Sequence, residues 1–289
     1  LLSRGLGDVY KRQIYEAACC GLRDFFVKNG YKKACVGVSG GIDSAVVACL
    51  AVAALGAENV RGLMMPSQFS SEGSVEDAKQ LAENLGIEFH VVPITEAYRS
   101  IVDTLIPVIG GTDFDATEEN IQSRIRTLML MALQNKNGYI LLNCSNKSEN
   151  ALGICTLYGD TGGAFSVTGD LYKTEMYDLA RYINRKFGAP IPENILTKEP
   201  SSELRPNQKD SDMLPSYEVV DAILYRLIED GQSREEIINA GFDSDEVQKI
   251  YAMVMRNEKK RFQYPPVLRL SSSSFGHEYR MPLTHKYVK

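Results

Sequence analysis

The sequence predicts an α/β fold in which a doubly wound parallel sheet of about five strands is followed by a C-terminal helical subdomain. Short apolar runs of strand character alternate with helical patterns over residues 33–186. A turn of small residues follows the first strand, and open parallel sheets bind ligands at such turns. Residues 217–262 then return to helical periodicity.

Composition and charge narrow the class of protein. The chain has 289 residues, enough for one large core, and its net charge of −5 gives no general signal for binding nucleic acids. No apolar run reaches about 18 residues, so no membrane span is predicted. The six cysteines and three histidines show no metal-ligand spacing. We therefore expect a cytoplasmic protein with reduced cysteines and neither a membrane nor a nucleic acid as partner.

The N-terminal segment differs from the rest of the chain. Residues 1–13 lack both the apolar core of a signal peptide and helical periodicity. We interpret them as a non-native or disordered leader. An amphipathic helix is predicted from Ile14 to Lys28, with Leu22 and Phe26 on its apolar side.

The turn after the first strand has the composition of a phosphate-binding loop. Glycines let an anion approach backbone N–H groups, and the next helix directs its unpaired N–H groups to the same point. Hydroxyl groups add further donors. The small residues of the turn are Ser39, Gly40, Gly41 and Ser44.

Asp43 is the acidic residue of this loop. A carboxylate beside a phosphate is repulsive unless a divalent cation lies between them, so we interpret Asp43 as a magnesium ligand. The alternative is an acid that only caps and stabilises the helix.

Two more strands, residues 60–65 and 89–93, are predicted on either side of a helix over residues 74–85. Met65 leaves the second of the chain's strands at the carboxyl edge of the sheet, where it can offer an apolar surface and backbone groups to adenine. An ordinary core methionine is the alternative interpretation.

A helix predicted over residues 118–134 carries two arginines. Arg124 and Arg126 are two residues apart, so they cannot share a helix face. Either one points to a ligand phosphate and the other to a subunit contact or solvent, or both are solvated surface charges.

A fourth strand, residues 139–143, runs directly into a polar cluster. This position is again at the ligand edge of a parallel sheet, so Glu149 can face Asp43 and complete a magnesium site. Lys173 begins a later predicted helix. Because a cation at a helix N-terminus opposes the helix dipole, we expect Lys173 to bind an anion.

Residues 190–215 are polar and punctuated by prolines, as lids and disordered segments often are. We divide the chain into an α/β domain over residues 14–200, a mobile lid over 201–215 and a helical region over 216–289. In the helical region, helices are predicted at residues 217–230, 234–240 and 245–262.

Further motifs follow the loop in order. They are NKSE at residues 146–149, LYGD at 157–160, SSELRPNQ at 201–208 and KKR at 259–261, followed by Pro265 and Pro266. The SGGxDS loop resembles that of the ATP pyrophosphatases, and with these motifs the chain resembles the NAD synthetase family. The resemblance covers about residues 14–289 and is closest to the synthetase half of the glutamine-dependent branch.

The resemblance implies a Rossmann-like sheet of the adenine nucleotide alpha hydrolase type and an ATP-dependent ligase that forms a C–N bond. The expected reaction is adenylation of deamido-NAD (nicotinic acid adenine dinucleotide) by ATP with Mg²⁺, release of pyrophosphate, and attack by ammonia to give NAD and AMP. A homodimer is also implied. The glutaminase domain of the glutamine-dependent branch has no counterpart in this sequence, so we expect ammonia as nitrogen donor unless a separate glutaminase subunit supplies it.

The resemblance also assigns roles by matching position. Asp43 and Lys173 are the expected catalytic residues, and Asp43 and Glu149 the expected metal ligands. The ATP-binding positions are Gly37, Val38, Ser39, Gly40, Gly41, Ile42, Asp43, Ser44, Met65, Cys144, Lys173 and Ser201. The positions expected to bind deamido-NAD are Arg124, Glu149, Asp160 and Lys260.

Three positions depart from family patterns. Cys144 replaces an ATP-contacting threonine, which leaves a weak thiol donor in place of a hydroxyl group. Leu157 and Ala164 stand where ammonia-dependent enzymes have lysine and aspartate, and this agrees with the glutamine-dependent branch.

Two other functions remain open at this point. One is a ligase of the same superfamily that acts on a purine nucleotide, as GMP synthetase does, or on a tRNA base. The other is a nucleotide-binding module without catalysis. The lid and tail motifs weigh against the first, and the joint presence of Asp43, Glu149, Lys173 and Lys260 weighs against the second.

Overall fold

The computed structural model describes residues 2–110 and 113–287. Residue 1 of the predicted leader and residues 288–289 of the predicted helical region lie outside the described residues. A parallel sheet forms the centre of the fold, with strand order β3-β2-β1-β4-β5. The strands are β1 (Lys33–Gly37), β2 (Val60–Met64), β3 (Glu88–Val91), β4 (Tyr139–Asn143) and β5 (Phe165–Ser166). The predicted α/β class and the parallel sheet are confirmed.

Helices cover both faces of the sheet, and a further group of helices follows the last strand in the C-terminal part of the chain. In chain order they are α1 (Leu2–Lys28), α2 (Ile42–Leu55), α3 (Glu72–Leu85), α4 (Thr95–Ile109), α5 (Ala116–Asn137), α6 (Lys147–Leu152), α7 (Lys173–Lys186), α8 (Glu193–Thr197), α9 (Tyr217–Ile228), α10 (Arg234–Asn239), α11 (Ser244–Arg256) and α12 (Glu258–Arg261). No helix in the described ranges is long and apolar enough to cross a membrane.

The two faces of the sheet follow from the alternation of side chains along each strand. Ala34 and Val36 of β1 are buried against α1, α2, α3 and α7, whereas Cys35 between them packs with α4 and α5. Because both faces are covered at the centre of the sheet, β1, β2 and β4 are mostly buried and apolar, whereas the edge strand β3 carries Glu88 and His90 and is largely exposed. The loops after β1, β2 and β4 therefore meet at one edge, above a rigid core.

The N-terminal helix begins at Leu2, so residues 2–13 are helical and not disordered, while the non-native origin of this leader stays a prediction. This segment contacts α7 through polar groups: Lys11 lies 3.2 Å from Asp178, and Arg185 lies 2.7 Å from Asp8. Because the segment contacts α7 through charged side chains, its sequence shows little apolar periodicity. Extending an existing helix costs less than nucleating one, so the helix from residue 14 can propagate backwards.

The helical region has its own core, formed by α6, α9, α10 and α11. The single helix predicted over residues 245–262 is wrong, because α11 ends at Arg256 and α12 begins at Glu258. Asn257 makes the break: its side-chain amide donates to the carbonyls of Leu152 and Met253, both at 2.8 Å. The predicted loop over residues 190–215 contains α8 and one short 3-10 turn, Asp210–Asp212.

Candidate functional site

The loop between β1 and α2 is closed by its own hydroxyl groups. The Ser44 hydroxyl donates to the Gly41 carbonyl (3.1 Å) and accepts from the Ser39 amide (3.1 Å), while the Ser39 hydroxyl accepts from the Gly41 amide (3.2 Å). Gly40 has φ +78°, and a Cβ there would lie 2.2 Å from the Ser74 carbonyl oxygen, so only glycine fits. The serines thus hold the shape of the loop.

Gly41 is the N-cap of α2, and no side chain caps this helix end by a hydrogen bond in the described residues. Asp43 lies in the first turn but is bonded elsewhere: its carboxylate accepts from the Asn146 amide at 3.0 Å and from the Lys173 ammonium at 2.6 Å. The free N–H groups of α2 are therefore available to an anion. The alternative in which Asp43 only caps the helix finds no support in these contacts.

Lys173 joins the two carboxylates that the sequence singled out. Its Nζ lies 2.6 Å from Asp43 Oδ2 and 3.4 Å from Glu149 Oε1, and its side chain is 4% exposed. Burial alone would lower the pKa of Lys173, but Asp43 and Glu149 hold that pKa well above its ordinary value. The pKa of Glu149 is raised to about 8 by burial and by the Asp43 carboxylate, against the effect of Lys173.

The carboxylate pair fits a divalent cation that also binds phosphate. The described residues contain no group of three or more His, Cys, Asp or Glu side chains that would hold a metal alone. Mg²⁺, however, is usually held by one or two carboxylates together with substrate phosphates. Asp43 and Glu149 converge on one ammonium group, so they are close enough to share a cation, and a nucleotide would supply the remaining oxygens.

A cavity of about 330 Å³ opens in front of the loop. Its lining includes six carboxylates and three cationic side chains, an excess of negative charge that would repel a free polyphosphate. A bound divalent cation would remove this conflict. Predicted site residues that line the cavity are Gly37, Val38, Ser39, Gly41, Ile42, Asp43, Ser44, Met65, Cys144, Glu149, Asp160, Lys173 and Ser201.

Two other residues that line the cavity, Asp160 and Cys144, have pKa values above their ordinary values. The Asp160 carboxylate accepts from the Thr156 amide (2.8 Å) and the Ser123 hydroxyl (3.1 Å), while burial raises its pKa. Burial also raises the pKa of the Cys144 thiol, with Asp43 and Glu149 adding to the effect. Cys144 is therefore a neutral, weak donor in the wall of the cavity.

Three predicted binding residues lie outside the cavity lining. Gly40 is behind the loop, against Ser74. Arg124 is exposed, and its Nε donates to the Leu157 carbonyl at 3.2 Å. Lys260 donates to the carbonyls of Gly153 and Cys155, at 2.6 and 2.9 Å. Contacts of Arg124 and Lys260 with deamido-NAD thus remain predictions.

Arg126, rather than Arg124, lies at the cavity. Its Nε donates to the Met65 carbonyl at 2.9 Å, at the end of β2. The two arginines therefore lie on different faces of α5, as their spacing predicts. Each donates a hydrogen bond to a backbone carbonyl, so neither is only a solvated surface charge.

The segment after α8 closes over the cavity through Glu203. Its carboxylate accepts from the Ser71 amide (3.2 Å), the Ser71 hydroxyl (2.8 Å) and the Ser74 hydroxyl (2.9 Å), all at the N-terminus of α3. The Leu204 carbonyl accepts from the Gln122 side chain at 2.9 Å. This anchor was not predicted, although serine at an N-cap, the position of Ser71, is a recognisable signal of a helix start.

The helical region helps to fix the start of α7, where Lys173 lies. The Asp221 carboxylate on α9 accepts from the Ser148 hydroxyl and from the Thr174 amide (2.8 Å), and the Ser148 hydroxyl accepts from the Lys173 amide (2.9 Å). Asp221 and Ser148 therefore bind the amide groups at the start of α7, which is the position of Lys173. Asp221 was not predicted, because one acidic residue within an amphipathic helix has no distinct signal in the sequence.

An open parallel sheet with this loop at its carboxyl edge and an acidic cavity in front of it defines an α/β nucleotide-binding protein. The family model for NAD synthase matches residues 14–264. The chain therefore belongs to the NAD synthase family, which confirms the resemblance seen in the motifs.

Individual relatives agree with this assignment. The chain is 51% identical over 279 residues to the glutamine-dependent NAD(+) synthetase of Aquifex aeolicus, with 96% of this chain and 49% of that protein covered. It thus spans about half the length of the curated relatives it matches. A solved glutamine-dependent NAD+ synthetase from Acinetobacter baumannii, in complex with ADP, has TM-score 0.64 and 41% identity over 94% of this chain and 49% of that one. For an NH3-dependent NAD synthetase from Campylobacter jejuni the TM-score is 0.69 and the identity 30%, over 86% and 95% of the two chains.

Proposed function

We propose that the chain is the synthetase part of an NAD synthetase. It adenylates deamido-NAD with ATP, releases pyrophosphate, and amidates the adenylate with ammonia to give NAD and AMP. The observation that carries the proposal is a single cavity holding the SGGxDS loop, Asp43, Glu149 and Lys173 in a member of the NAD synthase family. The ADP complex of the Acinetobacter relative supports an adenine nucleotide as a ligand of this chain.

The loop binds the phosphates of ATP through backbone N–H groups. Gly40 leaves room for the loop to fold tightly against α3, and Ser39 and Ser44 hold it in that shape. The uncapped N-terminus of α2 adds the positive end of the helix dipole. Because these donors are fixed before ATP arrives, little reorganisation accompanies the charge that develops on the leaving pyrophosphate.

Asp43 and Glu149 would hold Mg²⁺ together with phosphate oxygens. The chemistry supplied by the bound ion is neutralisation of the charge on ATP and on the leaving pyrophosphate. Lys173 stays protonated because its pKa is raised well above the ordinary value, so it serves as a fixed cation and not as a base. The proposed reaction requires no covalent nucleophile from the protein.

Ammonia is the proposed nitrogen donor for this chain. The similarity to the NH3-dependent enzyme of Campylobacter, of which 95% is covered, supports this choice. In the longer relatives a glutaminase part would supply the ammonia. A homodimer is also proposed, as the family resemblance implies; exposed apolar side chains on α4 and α5 include Val108 (81% exposed) and Leu128 (65% exposed).

The test is NAD formation by the purified chain with ATP, Mg²⁺ and deamido-NAD, comparing ammonium with glutamine. Activity with ammonium alone is the expected result. If pyrophosphate is released with a purine nucleotide or a tRNA as acceptor, but not with deamido-NAD, the chain is instead another ligase of the superfamily. Nucleotide binding without any pyrophosphate release would favour a module without catalysis.

A further inference from the structure

We propose that Arg126 binds a phosphate group of a substrate in the cavity. This inference deepens the proposed function, since it takes ATP and deamido-NAD as the ligands of the site.

The position of Arg126 is the first support. The side chain lines the cavity, and its Nε is held by the Met65 carbonyl at 2.9 Å. In the described part of the chain, the two terminal nitrogens of Arg126 make no hydrogen bond and no ion pair. A guanidinium anchored at Nε presents these nitrogens as a planar fork, which matches two oxygens of a phosphate group.

The charges around the cavity are the second support. Lys173 is neutralised by Asp43 and Glu149. Lys198 is paired with Asp77 at 2.9 Å. Arg126 is thus the cavity cation without a carboxylate partner among the described residues.

Partial burial affects the charged state of Arg126. It lowers the pKa of Arg126 to about 10, while Glu203 and Asp160 act in the opposite direction without contacting the guanidinium. The group therefore remains charged at neutral pH. The partly buried guanidinium faces the cavity, and an anionic ligand that displaces water there would complete its hydrogen bonds.

The rigidity of α5 is the third support. The Thr127 hydroxyl donates to the Gly159 carbonyl, the Ser123 hydroxyl donates to Asp160 at 3.1 Å, and the Gln122 side chain donates to the Leu204 carbonyl at 2.9 Å. These bonds fix the helix against the turn at residues 156–162 and against the lid. Arg126 is therefore ordered before the ligand binds, which reduces the entropy lost on binding.

The test uses Arg126→Gln and Arg126→Lys, with Lys136→Gln as matched control. Lys136 is an exposed cation on the same helix that does not line the cavity, and its replacement by glutamine causes the same change in charge. Dissociation constants for ATP and deamido-NAD are measured by calorimetry, and that for adenosine by competition at up to millimolar concentration. Melting temperatures show whether each variant is folded.

We expect Arg126→Gln to weaken binding of ATP, of deamido-NAD or of both by about 10- to 100-fold, the range for a hydrogen-bonded charge, with adenosine binding unchanged. Arg126→Lys should restore part of the loss, since it keeps the charge without the fork, and Lys136→Gln should resemble the wild type. Loss with ATP alone identifies the nucleotide phosphates as the partner, and loss with deamido-NAD alone identifies the dinucleotide.

Two results would overturn the inference. Equal losses for adenosine and ATP would show that Arg126 only supports the backbone at Met65, and unchanged affinity for both substrates would remove Arg126 from the site. If Arg126→Gln does not fold, Arg126→Lys decides alone, with wild-type affinity as the contrary outcome. The proposed function fails separately, if wild-type protein that binds ATP forms no NAD.

Discussion

Glu203 offers a direct test of how the lid is held. Its carboxylate is bonded to three donors at the start of α3, two of them on Oε1 and one on Oε2. In Glu203→Gln the side-chain oxygen can keep both serine hydroxyl groups. The amide NH₂ would then face the Ser71 N–H, so one hydrogen bond is replaced by a contact between two donors. The charge that favours the helix N-terminus is also lost.

The magnitude follows from these two losses. A hydrogen bond contributes about 0.5–1.5 kcal/mol net, and a charge at a helix N-terminus about 0.3–1 kcal/mol. We therefore expect Glu203→Gln to destabilise the closed lid by about 1–2 kcal/mol. This corresponds to a rise of about 5- to 30-fold in the open fraction.

Hydrogen exchange measures this open fraction. Amides of residues 199–214 should exchange about 5- to 30-fold faster in Glu203→Gln, while amides of β1 and β4 are unaffected. Glu218→Gln is the control, because Glu218 is an exposed acid in the first turn of α9. Equal protection of the lid in Glu203→Gln and wild type would refute the reasoning, since the three contacts would then contribute nothing to closure.

Other predictions concern the metal, the C-terminal helices and acid stability. Asp43→Asn should lower pyrophosphate release by about 10²–10³-fold without changing the circular dichroism spectrum, and an active variant would remove Asp43 from the reaction. Lys260→Ala should raise KM for deamido-NAD more than KM for ATP; if only the melting temperature falls, Lys260 merely supports the carbonyls of Gly153 and Cys155. Burial raises the pKa of Glu229, but hydrogen bonds from Lys147 and Ser272 outweigh burial and lower that pKa below its ordinary value. The contribution of Glu229 to the free energy of unfolding is therefore complete above the ordinary carboxyl pKa of about 4.3, and it is lost as the pH falls through the lowered pKa. Glu229→Gln should cost about 1–3 kcal/mol at pH 7 in chemical denaturation, with the difference from wild type shrinking below about pH 4; a constant difference would contradict this.

The features predicted best from sequence depend on local period and on topology. The strands β1, β2 and β4 are visible as apolar runs because both faces of a parallel sheet are buried at its centre. The sequence predicts that Asp43 and Glu149 face each other because each follows a strand at the carboxyl edge of the sheet, and in the structure their strands β1 and β4 are neighbours. Parallel neighbours bring their carboxyl ends to one edge, so the pair required no knowledge of side-chain packing.

The features that sequence analysis missed depend on tertiary contacts. The rotation of α5 about its axis decides which arginine meets the cavity, and the sequence shows only that Arg124 and Arg126 differ in direction. The end of α11 depends on the bond from Asn257 to Leu152, about a hundred residues earlier in the chain. Asp221 has no local signal, because its partners Ser148 and Thr174 belong to other helices.

The contact between Asp221 and the start of α7 limits how the chain can be divided. Packing separates an α/β layer from a helical region, yet the acceptor that fixes the amide groups around Lys173 lies in the helical region. Lys147 adds a second connection, with ion pairs to Asp170 and to Glu229 of the residue stretch after α9. A fragment that stopped at residue 215 would keep the loop between β1 and α2 and lose Asp221, which fixes the start of α7 where Lys173 lies. A helical region exchanged between relatives would therefore preserve the surroundings of Lys173 and Lys147 only if it supplied acceptors in the places of Asp221 and Glu229.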